Sequence, residues 1–175
     1  AALDIHDDLA GSLRVLQPDV VIHTSGPYQG QSYEVAQACI DQGCHYVELA
    51  DARYYVVGIT ELDAHAKEKG VLICSGASSV PCLTASIIDH YKPEFDRLEV
   101  VEYAIATAQL TNRGLATIRA VLSYAGKPFT TLIDGQMQNV HGWRGLTWRR
   151  FCRLNLSLFG FWGVTLLYLV LHEFV

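Results

Sequence analysis

Three short apolar runs, VVIHT at 20–24, HYVEL at 45–49 and VLIC at 71–74, recur along the first half of the chain, with helix-like sequence between them. Short strands separated by amphipathic helices require right-handed crossovers, which lay the strands parallel in one sheet. The expected fold class is therefore α/β, with a parallel sheet buried on both faces. Three such strands alone make too small a sheet to be a complete domain.

Local signals punctuate the connections. Residues 8–16 read as a short helix that ends before Pro18. Over 32–42, Val35, Ala36, Cys39 and Ile40 recur at helical spacing, and Gly43 stands where a helix C-terminus favours positive φ. In TELDAHAKEKG (60–70), Thr60 suits an N-cap, the acids come first, Lys67 and Lys69 come last, and Gly70 closes the helix. A further helix is expected over 82–91, ended by Pro93. The pattern then changes. Residues 97–108 alternate like a long strand, and 115–125 form a helix with Leu115, Ile118 and Leu122 on one face. FTTLIDGQMQNV (129–140) sets Asp134-Gly135 between two alternating runs, a strong hairpin signal. A domain boundary falls near 92–96. The chain divides into an α/β unit over 1–92, part of an α+β unit over 93–150, and an apolar tail over 151–175.

Composition removes several function classes. The formal net charge is −5, and no basic cluster precedes the last fifth of the chain. Nucleic acid is therefore not the main partner, because phosphate binding needs Lys and Arg gathered on one surface. Five Cys are an odd number and sit mostly in apolar segments, as expected of reduced, intracellular packing thiols. Cys39 and Cys44 flank a helix end without a second matching pair, and the seven His are scattered, so no metal site is expected. The expected location is the cytoplasm.

Ligands of open parallel sheets bind beyond the carboxyl ends of the strands. Here those ends are TSGPYQGQS (24–32), LADARYY (49–55) and CSGASSVP (74–81). Small residues let a flat cofactor approach the backbone, Pro27 fixes φ, and Tyr28 can cover a ring. Gly, Ser and Pro also make simple tight turns, but two such loops at corresponding strand ends favour a ligand. No G-x-G-x-x-G stretch occurs in the chain. GASSV has Val80 where a nucleophile elbow needs its second Gly, and no hydrolase order of Asp and His follows, so acyl transfer is set aside.

The stretches DVVIHTSGPYQGQSYEVAQACIDQGCHYVELAD (19–51) and GVLICSGASSVPCLTASIIDHY (70–91) resemble the second half of the NADP-binding domain of the saccharopine dehydrogenase family. NRGLATIRAVLSYAGKP (112–128) and GWRGL (142–146) resemble, more loosely, the start of that family's second domain. The resemblance implies the second half of a Rossmann-like domain followed by part of an α+β domain. It also implies hydride transfer between NADP or NAD and a small amino-acid-derived, carbonyl or imine substrate. By resemblance, Ser25, Gly26, Pro27 and Tyr28 line the cofactor, while Asp51 and the Ser75-Gly76 turn lie near the nicotinamide. Family members begin with a strand and a G-x-G-x-x-G loop, and this chain reads as starting after that point. Such a truncated chain is expected to be inactive alone.

Hydride chemistry still needs a group to handle the proton. Asp51 at a strand end is the first candidate, with Glu48 and His23 behind it. Asp51 can equally be an N-cap or a surface acid beside Arg53, and His23 suits a hydrogen-bonded core position.

The tail poses a separate question. Residues 154–171 carry no charge over eighteen positions and follow Arg149, Arg150 and Arg153. That meets the minimum for a transmembrane helix with its N-terminal side in the cytoplasm. Asn155, Ser157 and two glycines weaken the pattern, a buried helix or strand pair fits as well, and a shifted reading frame would leave an unrelated apolar end. The N-terminus lacks an initiator Met and reads as cut from something longer. A homodimer, membrane contact through 154–171, a non-enzymatic membrane-associated role and an inactive gene fragment stay open.

Overall fold

The computed structural model describes residues 4–106, 112, 114–144 and 166–172. Strands β1 (Val20–His23), β2 (His45–Glu48) and β3 (Ile73–Cys74) hydrogen-bond in that order, all parallel. Together with the intervening helices they form the expected α/β, Rossmann-like layer. Register places Val21 beside Tyr46 and Tyr46 beside Ile73, so these three share a face. That face packs into a core with Leu9 and Leu13 of α1 (Leu9–Leu16) and with Val35, Ala36 and Cys39 of α2 (Glu34–Gln42).

The opposite face departs from expectation. Ile22 is 67% exposed and Leu72 60% exposed, and Val20 is exposed too. Among the described residues the sheet is covered on one side, and the chirality of the connections explains why. Both crossovers step across the sheet in the same direction with the same hand, so their helices fall on the same side.

The helix expected over 60–70 is longer and starts earlier. α3 (Arg53–Gly58), a 3-10 turn (Ile59–Leu62) and α4 (Asp63–Lys69) follow one another without a break. Tyr55, Ile59 and Ala66 are buried and Leu62 half-buried, one stripe at helical spacing that draws 53–58 into the helix. Thr60 is therefore not an N-cap; its hydroxyl donates to the Val57 carbonyl at 2.9 Å. The helix ends as predicted on Gly70, at φ 67°, just as α2 ends on Gly43 at φ 73°. α1 starts on Asp8, whose carboxylate accepts from the Gly11 amide at 2.9 Å. After β3, an irregular turn at 79–83 leads into α5 (Thr84–Tyr91), and Pro93 lies inside a further 3-10 turn, Lys92–Glu94.

Cys39, Cys44, Cys74 and Cys82 are free thiols. Burial, with Cys44 close by, pushes the Cys39 thiol up to about 12, as suits a packing cysteine.

Two compact units divide the chain: the first runs to Val100 and takes in 171–175, and the second spans Val101–Val170. In the second, β5 (Pro128–Ile133) and β6 (Gln136–His141) form an antiparallel hairpin. Asp134 and Gly135 make its turn with φ of 51° and 71°, as the Asp-Gly signal predicts. α6 (Gly114–Ser123) buries Ala120, whereas Leu115, Ile118 and Leu122, expected to form its core face, are exposed. An apolar stripe is buried only where another layer meets it, and the described residues bring none onto this one. β4 (Val100–Ala106) pairs with β7 (Leu166–His172). The end of the apolar run 154–171 thus lies in a strand, while 154–165 fall outside the described residues. Among the described residues, no helix is long and apolar enough to cross a membrane.

Candidate functional site

Parallel strands send all their carboxyl ends to one edge of the sheet, and the three loops singled out from sequence leave from that edge. His23 and Glu48, the last residues of β1 and β2, are register partners, and Val47 stands opposite Cys74 of β3.

The first loop is held from inside. The Tyr28 hydroxyl donates to the His23 carbonyl at 2.7 Å, and the Gln31 amide donates to the carbonyls of Ser25 at 2.8 Å and Pro27 at 3.0 Å. Ser25 is exposed, while Gly26 and Pro27 are half-buried. The Gly26–Pro27 peptide is cis. Open space surrounds Gly30 at φ 85°, and a Cβ on Gly26 would meet only Tyr28, at ordinary contact distance. Tyr28 itself does not project as a cover for a ring. It is buried against His23 and Tyr55, with ring centroids 5.4 and 5.5 Å away, and shapes the loop from beneath.

The loops are tied to one another. The Gln29 amide donates to Asp51 Oδ1 at 3.3 Å, joining the first loop to the second. Glu48 Oε1 accepts from Ser75 Oγ and from the Gly76 amide at 2.6 Å each, and from the Ala50 amide at 3.3 Å. The Glu48 carbonyl accepts from the Ala77 amide at 2.9 Å. The turn after β3 is thereby pinned to the end of β2. Gly76 has φ 71°, and a Cβ there would lie 3.0 Å from Pro81 Cγ, so the turn needs glycine for both conformation and space.

Asp51 is exposed beside this arrangement. It is not the cap of α3, since Ala52 holds that position and makes no side-chain cap bond. Glu48 and His23, ranked behind it from sequence, are the buried polar residues of the site, at 0% and 4% exposure.

A connected polar cluster lies under the loops. His23 Nδ1 is 3.0 Å from the Tyr46 hydroxyl, which is 3.3 Å from that of Tyr55, and the Tyr33 hydroxyl donates to the Tyr55 carbonyl at 2.8 Å. Burial pushes the Tyr46 phenol far above its usual range, and its contacts with Tyr55 add to the shift. Burial also lowers His23 below the usual imidazole range, against the opposing charge of Glu48. The imidazole is thus neutral near pH 7. Sequence reading had not singled out Gln29, Gln31, Tyr46 or Tyr55. The alternation in HYVEL was the available signal for Tyr46, because it puts that residue on the face of Glu48.

An open groove of about 620 Å³ elsewhere runs beside α2 and includes Glu34, Asp41 and Glu61 in its lining. Three carboxylates repel a phosphate-bearing ligand, so the groove does not suit a dinucleotide.

A parallel α/β layer with small-residue loops gathered at its carboxyl edge defines a Rossmann-like nucleotide-binding domain. Residues 2–74 match the family model of the saccharopine dehydrogenase NADP binding domain, so this stretch is similar to that family. This match to an NADP-binding domain supports NADP as the nucleotide and an oxidoreductase-like role. No curated protein sequence matches the chain significantly.

Proposed function

We propose that the strand-end loops of the first unit receive the nicotinamide end of NADP(H), and that the protein transfers a hydride between this cofactor and a small amino-acid-derived carbonyl or imine compound. The observation that carries the reading is the cross-tying of the three loops at one sheet edge, through Gln29–Asp51 and Glu48–Ser75–Gly76; Gln29, Glu48 and Asp51 lie inside the stretch 2–74 that matches an NADP-binding family, and Ser75-Gly76 follows directly on it. Preorganised small-residue loops suit a flat ring, because the backbone can come close without reorganising.

Bound there, the cofactor supplies the hydride. The chain's own residues orient and enclose it. Ser25, Gly26 and Pro27 form one wall with Tyr28 beneath, and Ser75 and Gly76 form the other. Asp51, exposed at the second loop and steadied by Gln29, exchanges the proton that accompanies hydride transfer. NAD takes the place of NADP if the adenosine end does not require the extra phosphate.

A fluorescence titration of the full chain with NADPH and with NADH tests the reading. Saturable binding, tighter for NADPH, is expected. Failure of both to quench or to protect the chain against unfolding removes it.

A further inference from the structure

The loop contacts leave three buried polar atoms unused, Gln29 Oε1 in the first loop and two on adjacent strands. Glu48 places three donors on Oε1, but its enclosed Oε2 has no hydrogen-bond partner among the described residues, and neither has the enclosed Nε2 of His23. These residues are register partners on adjacent parallel strands, with side chains on one face and backbones roughly 4.8 Å apart. No hydrogen bond or ion pair joins their side chains.

A buried polar atom left dry is costly, and two on neighbouring residues are the usual address of an internal water. The cluster beneath supplies the polarity. With Tyr46 donating to His23 Nδ1 the imidazole carries its proton on Nε2, and with Nδ1 donating to Tyr46 it leaves Nε2 an acceptor. A water between the two residues serves either tautomer, accepting from or donating to Nε2 while it donates to Oε2.

We propose that one internal water joins His23 Nε2 to Glu48 Oε2, and that this bridge makes Glu48 a positioning residue for the Ser75-Gly76 turn. The inference rests on the NADP(H) reading for what the turn serves. Glu48 itself touches no ligand. It acts through the turn, and the bridge extends its hold to the end of β1, so that the tips of all three strands move as one.

Wild-type full chain is compared with Glu48→Gln and Ser75→Ala, by NADPH titration well below each unfolding midpoint and by hydrogen exchange of the Gly76 amide. The Gly43 amide, bonded to the Ile40 carbonyl, is the internal reference. Replacing a charged acceptor by a neutral one is expected to speed Gly76 exchange and to weaken NADPH binding, each about tenfold, with Gly43 unchanged. Unchanged exchange and affinity with a lowered unfolding midpoint would mean that Glu48 only stabilises the core, and would overturn the positioning role. If Glu48→Gln does not fold, Ser75→Ala removes a donor from a half-buried position, and Gly76 exchange alone decides, because Ser75 also lines the proposed cofactor wall. A crystal structure of the wild type should show an ordered water within hydrogen-bond distance of both atoms; a direct Nε2–Oε2 contact instead overturns the bridge. If wild type fails to bind NADPH, the proposed function falls, and Gly76 exchange and the crystal structure still decide the bridge.

Discussion

The Tyr46 hydroxyl lies 3.0 Å from Nδ1 of His23, and both residues are buried. The contact joins the middle strand of the sheet to its neighbour beneath the loops, and a second hydroxyl, that of Tyr55, completes it at 3.3 Å. Tyr46→Phe removes one oxygen and leaves both His23 and Tyr55 without this partner. Removing a buried hydrogen-bonding partner costs about 1–3 kcal/mol, and a loss of stability of at least that size is expected from urea unfolding. A midpoint unchanged from wild type would show that the hydroxyl contributes nothing.

The lowered titration of His23 has a consequence for stability against pH. Unfolded, the imidazole binds its proton near pH 6.5; folded, burial among Tyr28, Tyr46 and Glu48 delays protonation to lower pH, with the Glu48 charge opposing the delay. In that window the unfolded state binds more protons, so this contribution is fully present above about pH 6.5 and is lost as pH falls toward the folded value. Urea midpoints of wild type and His23→Gln across pH 5 to 8 isolate the effect. The gap between the two proteins should change below pH 6.5 in the sense that wild type loses more. A constant gap would contradict the burial argument.

How much of this was legible beforehand depends on the range of the interaction. Gly43, Gly70 and Asp134-Gly135 announced helix ends and a hairpin turn because positive φ is a local demand, and the structure has them at those positions. The parallel sheet was legible from alternation, since crossover handedness leaves little choice. Which face would be covered was harder. Ile22 and Leu115 look as buried as Val21 or Ala120 in sequence, and only the arrival of another layer decides. The site followed the same division: the small residues of the loops advertised themselves, while Glu48 came behind Asp51 because burial and three converging donors arise only when the 75–77 turn folds back onto β2.

Gly76 offers a direct comparison with Gly43. Both have φ just above 70°, so alanine is strained at either position, at about 1 kcal/mol. Gly43 has no atom near a Cβ, whereas at Gly76 Pro81 stands 3.0 Å away. Gly76→Ala should therefore destabilise clearly more than Gly43→Ala, and should also weaken NADPH binding because the turn shifts. Thermal unfolding of both variants together with titration checks this; equal losses would mean that Pro81 yields without cost.

Asp51 should separate binding from chemistry. Its side chain is exposed and, among the described residues, its hydrogen bond is one of 3.3 Å from Gln29, so Asp51→Asn is expected to move stability by no more than about 0.5 kcal/mol. NADPH affinity should change little. Under the proposed function, with NADPH and a reducible carbonyl or imine substrate supplied, the rate should fall by roughly 10²-fold, the lower range for loss of a positioned acid or base. A variant with full rate and the same pH profile would take the proton role from Asp51.

The sheet, covered on one side among the described residues, makes the last prediction. Ile22 and Ile40 carry the same side chain, but Ile22 is exposed among the described residues and Ile40 is fully enclosed on α2. Truncating an enclosed Ile to Ala costs about 2–5 kcal/mol, because apolar contact is lost and a cavity remains. At Ile22 there is little enclosed surface to lose, so the cost should stay near 1 kcal/mol, most of it the weaker strand preference of alanine. Urea unfolding of Ile22→Ala and Ile40→Ala, read as the difference between them, measures the asymmetry of the two faces. Equal losses would mean that another layer covers β1 in solution, because only burial can make the two truncations equivalent.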